Sequence, residues 1–144
     1  MLESPAYRVL SLAARRVLDR LAIELAAHGG NDHDKLPVTF NQFRDYGIDR
    51  GAIAPATREL IALGFIEVTV QGRASAGSCR WPNAFSLPWV NCKSNPYPTC
   101  PWRRITTMED ATKIARMARK PRRRARVIPL RPVEGAAPEG RPRS

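Results

Sequence analysis

The stretch FNQFRDYGIDRGAIAPATRELIALG, residues 40–64, decides how this chain folds. Thr39 precedes it and is a favoured N-cap residue, so a short amphipathic helix is expected over residues 40–46. Gly47 stands where a left-handed residue closes a helix, and Ile48 supplies the apolar contact that accompanies such a cap. Asp49 then caps a second helix, which runs to Leu63 and stops at Gly64. On that helix Ile53, Ala56, Leu60 and Leu63 share one face, with Thr57 at its border. They are expected to pack on an upstream helix and on Phe40 and Phe43. The opposite face presents Gly51, Ala54, Pro55, Arg58 and Ala62. Pro55 removes one helical hydrogen bond and crowds the turn before it. The helix therefore either starts irregularly and becomes regular around Ala54, or kinks at Pro55.

Upstream, residues 1–11 read as an extended lead-in. Ser11 is an N-cap for a long helix over residues 12–28. Leu10, Ala14, Val17, Leu18, Leu21 and Leu25 recur at helical spacing and form its buried stripe. Ile23 points away from that stripe. With Ala26 and Ala27 it is either ordinary surface or a seat for the C-terminal segment or a second subunit, which makes a homodimer a candidate state. Gly29 and Gly30 end the helix. Leu36, Pro37 and Val38 form a strand only if another strand receives them.

Downstream, residues 65–70 alternate sides, Ile66, Val68 and Val70 against Phe65, Glu67 and Thr69. Gly72 and Gly77 flank a small tip with one cation, Arg73. Residues 79–87 return as a second strand, which Pro82 confines to an edge or interrupts. Phe85 and Leu87 are its expected core contributors. Residues 89–106 are a Pro- and Asn-rich strap that Trp89, Tyr97 and Trp102 fasten to the domain. Thr107 and Asp110 form a capping-box pattern for a short helix over residues 107–119, with Met108, Ala111, Ile114, Ala115 and Ala118 on its weak apolar face. Residues 120–144 are a basic tail expected to be disordered, its composition being one that does not bury a core.

Helix, tight glycine turn, helix and glycine-flanked hairpin, in that order, resemble the winged helix-turn-helix family over residues 5–88. The implied fold class is mainly α with a small β-hairpin wing, in which Leu36–Val38 pairs with the hairpin. The resemblance implies double-stranded DNA as partner and the second helix as recognition helix. Arg50 and Arg58 would then contact DNA from that helix, Arg44 from the one before it, and Arg73 and Arg80 from the wing. A bacterial transcription regulator and a plasmid or phage replication-initiator module both fit this family. A protein-interaction winged helix is the reading from another class. The outer face of the second helix favours it, having one Arg and no Asn or Gln with which to read bases. RNA binding through the tail alone is a third.

The charge distribution bears on that choice. The net charge of +11 points to a polyanionic partner. Residues 1–100 carry 11 basic and 9 acidic side chains, a net of +2, and residues 101–144 carry 13 and 4, a net of +9. The cations are thus concentrated near the end, in a run that includes Arg119, Lys120, Arg122, Arg123, Arg124 and Arg126. Such a run binds nucleic acid without regard to sequence or stays solvated.

No motif speaks for catalysis: P-loop, GxSxG, HExxH and dinucleotide-binding glycine patterns do not occur. No small-molecule substrate is evident. His28, His33, Cys79, Cys92 and Cys100 lack the short paired spacing of structural zinc, so no metal and no cofactor is expected. Three cysteines without CxxC, no signal-peptide pattern and no apolar run approaching ~20 residues read as a reduced, cytoplasmic protein without a membrane partner.

Overall fold

The computed structural model describes residues 1–72 and 82–121. In these the fold is mixed α/β, with five α-helices and a small three-stranded antiparallel sheet. Helix α1 spans Pro5–Arg8 and α2 Leu12–Ala27. Strand β1 is Leu36–Val38, followed by α3, Phe40–Asp45, and α4, Arg50–Leu63. Strands β2, Glu67–Val70, and β3, Asn83–Ser86, precede a 3-10 turn, Pro101–Arg104, and α5, Met108–Arg119.

Local chemistry sets most of these boundaries. The Ser11 hydroxyl accepts from the Ala14 N–H at the start of α2. Thr39 and Gln42 form a reciprocal capping box on α3. Gly47 and Gly64 close α3 and α4 at φ +90° and +84°, where a side chain would be strained. The lead-in is not wholly extended. Ser4 caps a single helical turn, α1, with Pro5 at the first helical position, where its missing N–H costs nothing. Pro55 neither delays nor ends α4, which is helical from Arg50 through Leu63 around it.

The sheet order is β1-β3-β2. Leu36 lies opposite Phe85, and Val38 opposite Asn83. Leu36–Val38 thus pairs with the β2–β3 pair, as the resemblance implied, and makes it a three-stranded sheet. Between β2 and β3 the register shifts at Val68–Val70. That irregularity breaks the expected alternation, and Val70 is 56% exposed. The Thr69 hydroxyl there donates to the Asp34 carbonyl oxygen at 2.9 Å.

One core joins all of these elements. Leu10, Ala14, Val17, Leu18 and Leu21 of the α1–α2 region share it with Ile53, Ala56, Leu60 and Leu63 of α4 and with Phe43, Phe65 and Phe85. Phe40, by contrast, at the first position of α3, is half exposed and stays outside this core. Residues beyond 88 contribute to the same core. Trp102 is buried and stacks on Phe65 at 6.1 Å, and Ala111 and Ala115 of α5 are fully enclosed. The strap is fastened by the Trp89 indole N–H, which donates to the Phe65 carbonyl, and by Asn95, whose amide donates to the carbonyls of Pro88 and Val90. Tyr97 takes no part in it and is exposed. A Cβ on Gly64 would lie 2.7 Å from that of Pro101, so the strap passes directly against the end of α4. From there the chain turns into α5, whose last residues reach Arg58 and Glu59. Helix α5 therefore packs on α4, with its C-terminal end beside Arg58 and Glu59. Among the described residues no helix is long and apolar enough to cross a membrane.

Candidate nucleic-acid interface

The α3–α4 turn is built rigidly. Gly47 donates its N–H to the Arg44 carbonyl oxygen, and the Ile48 N–H donates to that of Phe43. Ile48 is buried beneath the turn. The Asp49 carboxylate accepts from the Gly51 N–H at 3.1 Å and starts α4. A third element braces the turn from outside: Arg16 of α2 donates from Nη1 to the Gly47 carbonyl at 2.7 Å.

With Ile53, Ala56, Leu60 and Leu63 turned inward, α4 leaves Arg50, Gly51, Ala54, Ile61 and Ala62 exposed. This is a smooth face of small and apolar groups with one guanidinium at its N-terminal end. Arg44 is exposed on the preceding helix. Arg16, Arg44 and Arg50 thus supply three guanidiniums around the turn against the carboxylates of Asp45 and Asp49, the second already engaged in the cap.

Two arginines expected to touch DNA have partners inside the protein. Arg58 leaves the outer face of α4 and donates from Nε to the Ala118 carbonyl at 3.0 Å and from Nη2 to that of Arg119 at 3.1 Å. These carbonyls end α5 and lack helical partners, so a cation there both bonds them and complements the helix dipole. Arg119 donates to both oxygens of Glu59, at 2.8 and 2.9 Å, and to the Val9 carbonyl at 3.1 Å. Hydrogen bonding to Glu59 holds the Arg119 guanidinium more firmly protonated than usual. Lys120 is exposed just past the helix end. Arg73, Arg80, Arg122, Arg123, Arg124 and Arg126 lie outside the described residues.

The sequence reading overlooked Arg16 and Glu59. Nothing in the local pattern marks Arg16, which sits on the polar side of α2 like its neighbours. Glu59 had a signal. It falls between Ala56 and Leu63 on the inward side of α4, where an unpaired carboxylate would be costly.

Cys92 and His33, two of the residues weighed as metal ligands, do come together. The Cys92 sulfur lies 3.6 Å from His33 Nδ1 and 3.1 Å from the Ser94 hydroxyl. The Ser94 contact, with help from nearby backbone, holds the Cys92 thiol below its ordinary range. Two ligands do not make a structural zinc site, and among the described residues no three His, Cys, Asp or Glu side chains gather. Comparison with known proteins finds no matching family model, no similar curated protein and no similar solved structure.

Proposed function

We propose that the chain is a winged helix-turn-helix protein that binds double-stranded DNA, with α4 as the helix that enters the major groove. The observation that carries this reading is the exposed outer face of α4, left open while α3 is held behind it by the Gly47 turn. The element order supports it: helix, strand, two helices, then two strands, with the first strand on the outer edge beside the last. Arg44 and Arg50, exposed on either side of the turn, would make phosphate contacts, which position a protein without reading sequence. Base selection then falls to the small face around Ala54, by close approach and thymine-methyl contact more than by hydrogen bonds. Transcription regulation and replication initiation are both served by such a module.

A second reading draws on one specific observation. Arg58 is spent on α5, so the outer face of α4 keeps Gly51, Ala54, Ile61 and Ala62, a surface suited to a protein partner. In that case nucleic-acid affinity belongs to the basic tail alone. Binding of residues 1–121 to a randomised pool of duplexes separates the two. The DNA reading expects recovery of a preferred sequence and a loss of affinity in Arg50→Ala. If residues 1–121 bind no duplex while the full chain binds every duplex equally, the DNA reading of the domain is wrong.

A further inference from the structure

Helix α2 carries a second exposed surface, which adjoins the α3–α4 turn through Arg16 and whose reading does not require that the turn bind DNA. Four of its residues, Leu12, Arg16, Asp19 and Ile23, are all exposed. Their spacing of four, three and four residues places them on one narrow stripe, since 3.6 residues complete a turn. Leu12 is 67% and Ile23 48% exposed, so each end of the stripe is a large apolar side chain in water. Between them lie one cation and one anion. Among the described residues neither forms a salt bridge, the ion pairs there being Arg20–Glu24 and Arg119–Glu59, with His28 also beside Glu24.

Read backwards, the stripe complements itself. In a two-fold dimer the same patch serves both copies, and residue i meets j while j meets i. When two copies of α2 lie antiparallel with Leu12 opposite Ile23, Arg16 falls opposite Asp19 and Asp19 opposite Arg16. Both apolar ends are covered and both charges are paired in the same register. Any shift by one turn sets charge against Leu or Ile. Ala22 and Ala26, exposed beside the stripe, are small enough to let helix axes approach to ~8–10 Å. Arg16 keeps its bond to Gly47 while pairing, because one Nη1 proton serves the carbonyl and the guanidinium has five.

We propose that this stripe is a homodimer interface, occupied by α2 of a second copy of this chain in antiparallel register. A three-turn helix pair buries well under the ~1,600 Å² of a standard stable interface, so the dimer is in exchange with monomer at micromolar concentrations.

Sedimentation equilibrium of the full chain over roughly 5–500 µM reads the association. The expected result is a concentration-dependent rise from monomer to dimer mass. Asp19→Arg sets Arg against Arg16 of the other copy, and Arg16→Asp sets Asp against Asp19. Each change, in a side chain already exposed to water, should raise the dissociation constant by at least ~10-fold, like charges across an interface being costly. An equimolar mixture of the two single variants should dimerise again, because each mixed pair restores opposite charges on both sides. Thermal melts of each variant confirm that the fold is kept. A wild-type chain that stays monomeric throughout overturns the proposal. So does a dimer indifferent to both charge reversals, which would lie on another surface.

Discussion

The guanidinium of Arg119 grips both carboxylate oxygens of Glu59, and the Glu59 side chain is completely buried. The same carboxylate accepts from the Ser11 N–H at 2.9 Å and from the Ser11 hydroxyl at 2.8 Å. One acidic group therefore ties the start of α2, the middle of α4 and the end of α5. Four hydrogen bonds leave little of its capacity unmet, which is what makes a buried charge tolerable.

Removing one partner exposes that dependence. Arg119→Ala leaves the carboxylate in the core with Ser11 alone. A fully buried pair broken in this way costs ~3–5 kcal/mol. Arg119 keeps 41% of its side-chain exposure, so water reaches the site and the expected loss is nearer ~2 kcal/mol. Glu59→Gln in the same background should recover part of it, since the amide carries no charge to strand. Urea unfolding of the two single variants and the double variant measures the coupling. Additive losses would mean that the two side chains act independently.

The second expectation concerns where the domain ends. A chain cut after Cys100 loses Trp102, which stacks on Phe65, as well as Arg119 and the enclosed Ala111 and Ala115. It should fail to give a cooperative thermal transition, whereas a chain ending at Pro121 should keep one. A sharp transition for residues 1–100 would show that α5 is an accessory to a core complete without it.

Much of this was legible because it rests on short-range rules. Thr39, Asp49, Ser11 and Thr107 all cap the helices they were expected to cap, and the two closing glycines take the left-handed conformation. The buried stripes of α2 and α4 follow from period alone. What escaped was long-range. The apolar face of α5 consists largely of alanines, too weak a signal to assign the helix to the core. The partnerships of Arg58 and Arg119 join residues 60 or 61 positions apart, which no local pattern reveals. The exposed face of α4 was read correctly at Gly51, Ala54 and Ala62. Pro55 and Arg58, expected beside them, are only partly exposed, Arg58 being bonded to the end of α5.

Arg58 offers a test of that last point. Its two bonds to the final carbonyls of α5 are charge-assisted but partly exposed, so Arg58→Ala should lower stability by ~1–2 kcal/mol. Arg50→Ala, which removes an exposed side chain at the first turn of α4, should leave stability within ~0.5 kcal/mol. Their effects on DNA affinity should run in the opposite order once folded fractions are equal. If Arg58→Ala leaves the unfolding midpoint unchanged but relaxes preference at one base pair, Arg58 releases α5 and reaches the groove.

The final expectation separates the domain from the basic tail beyond it. Removing residues 122–144 deletes seven arginines and two glutamates, so net charge falls by five. The cut keeps Arg119 on Glu59 and Arg58 on the end of α5. Each phosphate neutralised adds about 0.9 to the slope of log affinity against log salt. If roughly four of the seven arginines meet phosphate, the slope should shrink by roughly 3 to 4. The remaining slope should be shallow, because the α3–α4 turn offers Arg16, Arg44 and Arg50 against two carboxylates. Preference between sequences should survive the cut, since phosphate contacts carry no base information. Titrating both chains against one duplex at several salt concentrations decides it. An unchanged slope would place the seven arginines away from the DNA, and loss of sequence preference would place part of the reading head beyond residue 121.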